Sequence, residues 1–229
     1  MKRNQYVICG AVALASVAIS MSSLSAQRGR GGAEGGEKPN PVHVHIGHVM
    51  TAWKEVPTGQ GFLPVAVADA KIAQVHAGYM QKAAGNLDQI KMHAGHVINA
   101  LDPTIEPKGP GSFGVKRGAA GALTHAQNAA KAEGASKGVL THTEHVSASL
   151  ENVGHWTDQA VATAQKIRAA TSAADTTPLI TELIAQLNTI SNGVDANKDG
   201  TVGWQIGEGG LAQAQQHMTL MMKGEGLVQ

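Results

Sequence analysis

The chain has 229 residues, 42% of them apolar and 15% charged, with a formal net charge of +1 when histidine is neutral. Such a balance leaves no basic stripe to displace counterions, which argues against nucleic acid as a partner. The single cysteine, Cys9, lies in the first segment, so disulfides, thiolate metal sites and covalent c-type haem attachment are excluded for the rest of the chain.

Residues 1–26, MKRNQYVICGAVALASVAISMSSLSA, have a cationic start, an apolar run and small residues before a cut near Ala26, the pattern of a secretory signal. The mature protein is therefore expected in the periplasm or outside the cell. No second apolar run is long enough to span a bilayer. Residues 27–41, QRGRGGAEGGEKPNP, hold little to bury and read as a flexible linker. The folded part starts near Val42, and the pattern divides it into a His-rich region, 42–175, and a terminal helix–loop–helix, 176–229.

All eleven histidines fall in this folded part, and their spelling recurs as HIGHV (45–49), HAGHV (93–97) and HTEHV (142–146). Setting residues 76–97 above 125–146 at an offset of 49 gives eight identities without a gap, including His76/His125, His93/His142 and His96/His145. Upstream, PTGQGFLPV and PKGPGSFGV match at an offset of 50. One unit of about 48 residues is thus read as duplicated, with a third, divergent copy opening at HTEHV.

Each unit reads as a helical hairpin. Ile72, Val75, His76 and Tyr79 recur at helical spacing over 69–84, as do Leu87, Ile90, Ala94, Val97, Ile98 and Leu101 on the next segment. Gly85 is placed to end the first helix in the left-handed region and Asn86 to cap the second; Gly134 and Ser136 repeat that logic. A long helix is predicted from about Ser136 to Ala170, another from Thr177-Pro178 to Gly193, and a last from about Glu208 to Lys223. Strand alternation is scarce. The expected fold is an all-α, up-and-down bundle built from the duplicated His-bearing hairpin, with Gly/Pro-rich loops.

Reversal at Gly85 sets His76 and His93 at one height, roughly 12 Å from the turn at about 1.5 Å per residue. Reversal at Gly134 does the same for His125 and His142. His96 and His145 lie one turn further along, so each hairpin is expected to offer three imidazoles, two of them an i, i+3 pair on one helix face. Three histidines with one position left open is a common way to hold zinc. Imidazole without thiolate or carboxylate suits Zn²⁺ or Cu²⁺ better than Ca²⁺ or Mg²⁺. His43, His45 and His48 form a weaker third group with no hairpin partner before them, while His155 and His217 fall off the apolar stripes and read as solvated. The same four hairpin histidines, His76, His93, His125 and His142, would also serve as axial ligands of haem b if the helices splayed to admit a porphyrin.

DANKDGTVGWQIGE, residues 195–208, resembles the calcium loop of EF-hand proteins over about a dozen residues. The resemblance implies oxygen ligands from Asp195, Asn197 and Asp199, the carbonyl of Thr201 and a sharp turn at Gly200. It departs at the twelfth place, where Ile206 stands for the bidentate glutamate and Glu208 follows two residues late. Elsewhere, GPGSFG (109–114) fits a dinucleotide fingerprint by letters alone and reads as a turn, Met218, Met221 and Met222 read as core filler, and Glu144 as a solvated neighbour. No nucleophile elbow, His-Glu-x-x-His or Walker loop occurs. The expectation is an exported His-rich protein that binds transition metal at two equivalent histidine clusters, with electron transfer through haem, a metal-free interaction module and an enzyme built on an open three-histidine zinc site as alternatives.

Overall fold

The computed structural model describes residues 39–229, and the signal and most of the linker read above lie outside them. Seven helices and no strand occur among the described residues: α1 (Pro41–Met50), α2 (Phe62–Lys82), α3 (Leu87–Leu101), α4 (Val115–Lys131), α5 (Lys137–Ala169), α6 (Ala173–Asn192) and α7 (Leu211–Gly224). They form a helical bundle.

Local chemistry accounts for the helix ends. Asn40 accepts a hydrogen bond from the Val42 amide with Pro41 in the first turn, Asn86 accepts from Gln89 and Ser136 from Val139. Gly85 and Gly134, with φ of 88° and 84°, take the left-handed conformation at the α2/α3 and α4/α5 reversals. Helix α6 starts at Ala173, four residues before the expected Thr177, because Ser172 accepts from the Asp175 amide and caps the helix there. Pro178 is thereby carried inside α6. Helix α2 also begins earlier than its periodicity suggested.

On α2 the buried stripe is Ala66, Ala70, Ala73, Ala77 and Met80, and on α4 it is Ala119, Ala122, Ala126 and Ala129. Small side chains at these contacts let the helix axes approach closely. Val75 and Tyr79, expected on the α2 stripe, are instead 50% and 43% exposed, since alanine rather than the larger residues marks the buried face. The larger side chains come from α3 (Ile90, Val97, Ile98, Leu101), α5 (Val146, Leu150, Val153, Ile167) and α6 (Leu183, Leu187, Ile190).

Helix α5 packs against α3, α4, α6 and α7, α2 against α3, α4 and α6, and α1 against α4. The loop before α4 is fastened to α2 by Asp69, which is fully buried and accepts from the amides of Ser112 (2.9 Å), Phe113 (2.9 Å) and Gly114 (2.6 Å). GPGSFG is thus a turn, as its context implied. Met218 and Met221 are buried in the core of the bundle. No described helix is long and apolar enough to cross a membrane.

Candidate metal centres

Three triads of histidine stand on the bundle: His45, His48 and His125; His76, His93 and His96; and His142, His145 and His217. Each is made by an i, i+3 pair on one helix and a single histidine from another. In the first, Nδ1 of His125 on α4 lies 2.9 Å from Nδ1 of His45 and 3.3 Å from Nδ1 of His48, both on α1. In the second, Nδ1 of His76 on α2 lies 3.0 Å from that of His93 and 3.3 Å from that of His96, both on α3. In the third, Nδ1 of His217 on α7 lies 3.2 Å from that of His142 and 3.3 Å from that of His145, both on α5.

The second triad is the one the hairpin argument anticipated. The grouping around Gly134 differs: His125 does not meet His142 and His145 but turns to α1, and those two take His217 as their third member. The reason lies in which helices pack. Helix α1 lies on α4 and α7 on α5, contacts between elements distant in sequence, so spacing within the hairpin sets the height of each ring but not its neighbour. His217, read as solvated, is half-buried in a triad. His45 and His48 do find a partner, from α4 rather than from a preceding hairpin. His43 stays outside and meets Glu225, Nε2 to Oε2 at 3.0 Å. His155 is exposed beside Gln159.

Three ring nitrogens converging in this way are hard to satisfy by hydrogen bonding alone. A neutral imidazole carries one N–H, so at each hub a single proton can serve only one of the two contacts. With the protons on Nε2, three lone pairs face a common point. Zinc–nitrogen bonds of about 2.0–2.1 Å at tetrahedral angles set adjacent nitrogens about 3.3 Å apart. The hub distances of 2.9–3.3 Å are close to that separation, so the donor set fits a small divalent ion with modest outward movement.

Electrostatics also favour the neutral, ligating form. Burial, reinforced by neighbouring imidazoles, lowers the pKa of His48, His76, His93 and His125, and burial alone lowers that of His142. His145 is lowered by burial and by His142, with Glu144 opposing, and His217 is pushed down to about 4 by burial, His145 and His142. Among the described residues no carboxylate joins any of the three groups.

Aromatic residues surround the rings, among them Tyr79, which the periodicity assigns to the α2 core stripe. Trp53 stands edge-on to His48 at 4.5 Å and Phe62 stacks on His125 at 5.3 Å. Tyr79 lies against His76 and His93 at 5.4 and 5.2 Å, and Trp204 stacks on His145 at 3.9 Å. Phe62 and Trp204 reach His125 and His145 from distant parts of the chain, so sequence position did not reveal these contacts.

The acidic loop folds on itself. Asp195 accepts from the amides of Asp199 (3.1 Å) and Gly200 (3.0 Å), Asn197 from that of Asp199 (2.8 Å), and Asp199 from that of Thr201 (2.9 Å). Glu208, only 4% exposed, accepts from the amides of Asn197 (3.2 Å) and Gly203 (3.1 Å). The sharp turn falls at Lys198 and Gly200, with φ of 62° and 91°.

Comparison with protein-family models, with curated proteins and with solved structures gave no match.

Proposed function

We propose that this chain is an exported transition-metal-binding protein that holds one Zn²⁺ or Cu²⁺ ion in each of its three histidine triads. The observation that carries this reading is the repetition: three times, from different helix pairs, an i, i+3 pair and a lone histidine bring three Nδ1 atoms together. One such meeting is an ordinary packing event; the same arrangement built three times supports a shared role. Cu²⁺ would bind most tightly of the first-row divalent ions, so the ion carried is set by supply as well as by the site. A binding or buffering role fits better than catalysis, because each site supplies imidazole alone with no carboxylate to act as base.

The distances favour a bare ion over haem. His76 and His93, which would flank a porphyrin, have their Nδ1 atoms 3.0 Å apart, leaving no gap for a macrocycle without separating α2 from α3. We further read the α2/α3 and α4/α5 hairpins as copies of one ancestral unit, supported by matching left-handed glycines at Gly85 and Gly134 and matching caps at Asn86 and Ser136. The secretory reading of residues 1–26 supports export.

Metal analysis of protein purified without an affinity tag tests the proposal. Three equivalents of zinc or copper per chain are expected after loading and desalting, falling to two in each of His125→Ala, His76→Ala and His217→Ala. Fewer than one equivalent in the wild-type protein would refute it.

A further inference from the structure

Beside the first triad lies an open cavity of about 310 Å³ that its two counterparts do not explain. Its walls include Trp53, Phe62, Phe113, Arg117, Gly121 and His125. Three of these are among the six Trp, Tyr and Phe residues of the described chain; Trp53 is part-exposed, while Phe62 and Phe113, 7% and 2% exposed, back it from the core. The His125 ring is shared: one face stacks on Phe62 and lines the cavity, and its Nδ1 belongs to the triad.

The walls are held in place by specific contacts. A β-carbon at Gly121 would run into the ring of Phe62, so glycine there lets that ring lie against α4. Phe113 is fixed by its amide, which donates to buried Asp69 at 2.9 Å. Phe62 and Phe113 meet at 6.0 Å with planes tilted by 49°. Arg117 lays its guanidinium over Phe113, 4.2 Å from the ring centroid, which presents a cation at the edge of an aromatic surface. Its nearest carboxylate, Glu55, is 3.8 Å away, with both side chains more than half exposed. So loose a pair contributes little and yields readily to a carboxylate that can engage the guanidinium with both oxygens.

The geometry points to a binding site for a small aromatic carboxylate in this cavity, its ring against the part-exposed Trp53, which the buried Phe62 and Phe113 back, and its carboxylate on Arg117 in place of Glu55, which lines the same cavity. The volume lies at the low end for organic ligands and suits a single ring. A divalent ion in the adjoining triad adds positive charge on the His125 side and strengthens the hold on the anion. That metal dependence rests on the function proposed above, whereas the cavity and Arg117 do not. The first centre is thereby distinguished from the other two as a place where metal and organic anion bind together.

Benzoate is the probe, titrated calorimetrically and by saturation-transfer NMR into metal-free and zinc-loaded protein, with acetate and benzyl alcohol as the ring-free and charge-free controls. Zinc content is measured on the same samples. Benzoate is expected to bind about tenfold more tightly than either control, and about threefold or more tightly again when zinc is loaded. Arg117→Gln should weaken it about tenfold. Thr124→Trp, at an exposed lining position, should block the cavity while leaving zinc content unchanged. Absence of benzoate binding in both forms, or binding that neither variant weakens, overturns the inference and leaves the metal reading intact. Zinc that loads without tightening benzoate overturns the link between the two ligands. Benzoate binding blocked by Thr124→Trp in a protein that takes up no metal upholds the cavity and refutes the metal centre instead.

Discussion

The indole of Trp204 lies flat on the imidazole of His145, with ring centroids 3.9 Å apart and planes 18° from parallel. Trp204 belongs to the segment between α6 and α7, so a loop residue sets the tilt of a ring on α5. The loop is in turn clamped to α5 by Asn152, whose amide donates to the carbonyls of Gln205 (2.9 Å) and Gly209 (3.0 Å) and accepts from the amide of Gly207 (2.8 Å). A partner that orients a metal ligand contributes to affinity without touching the ion. Trp204→Ala should weaken zinc binding at the third centre about tenfold, read by competition with a chelating dye in a His76→Ala, His125→Ala background that leaves only this centre. The same change should leave the second centre unaltered in a His125→Ala, His217→Ala background.

The cross-helix pairing makes a second, sharper expectation. His125→Ala should release the ion held with His45 and His48 and leave His142, His145 and His217 loaded, because among the histidines His125 meets only the α1 pair. His217→Ala should do the reverse. Backbone and imidazole NMR shifts on zinc titration would map each loss to α1 or to α5. Loss of the α5 ion in His125→Ala would instead restore the hairpin grouping.

Much of this was written in the sequence, though not all of it in a form that spacing alone reveals. The reversals at Gly85 and Gly134 followed from side-chain-free positions between two apolar periods, and the i, i+3 pairs from their spelling. The partners of those pairs did not, because helix neighbours are chosen by packing across the whole chain. Burial, which the spelling does not show, separates the triad histidines from the others. Every triad histidine directly precedes a buried residue: Ile46, Val49, Ala77, Ala94, Val97, Ala126, Thr143, Val146 and Met218. His43 and His155 precede Val44 and Trp156, which are not buried, and they stand outside the triads. One step before the core stripe places a ring on its flank, half-shielded yet able to meet a neighbouring helix.

Acid should destabilise the metal-free protein within a definite window. His217 titrates near 6.5 when unfolded and is pushed down to about 4 in the fold by burial and by His145 and His142. Between those values the unfolded chain binds more protons than the folded one, so stability rises with pH across that interval and falls as the pH drops through it. The other lowered imidazoles, His76 and His125 among them, act in the same direction. Thermal midpoints of metal-free protein should be level above about pH 7 and decline from about 6.5 towards 4. The decline should be shallower in His217→Ala. Since ligation needs neutral imidazole, bound zinc should leave over a similar range and steepen the acid loss of the loaded protein.

Asp69 offers a test that separates scaffold from site. Fully buried on α2, it satisfies three consecutive amides, Ser112, Phe113 and Gly114, at the entrance to α4. Asp69→Ala would leave the amides of Phe113 and Gly114 buried without partners, at a cost of about 2 kcal/mol or more. Urea unfolding should register that loss. Because α4 carries His125, zinc should also weaken at the first centre, while the second and third retain theirs.

The loop of residues 195–208 yields the last expectation. Its side-chain oxygens already hold the turn: those of Asp195, Asn197 and Asp199 each accept at least one backbone amide, and both oxygens of Glu208 do so from the far side. A carboxylate or amide oxygen has two lone pairs, so an amide contact leaves room for an ion. Oxygen ligands alone suit a hard cation, and Ca²⁺ tolerates the irregular geometry that a late glutamate imposes, whereas Mg²⁺ demands a near-ideal octahedron. Millimolar Ca²⁺ should therefore raise the thermal midpoint more than equal Mg²⁺, and Asp195→Asn and Glu208→Gln should each abolish the difference. Because Trp204 lies within this loop, its fluorescence should respond to Ca²⁺ even with the third centre disabled by His217→Ala. An unchanged midpoint and unchanged emission at millimolar Ca²⁺ would mean that the amides alone hold the turn, with the loop serving only to seat Trp204 on His145.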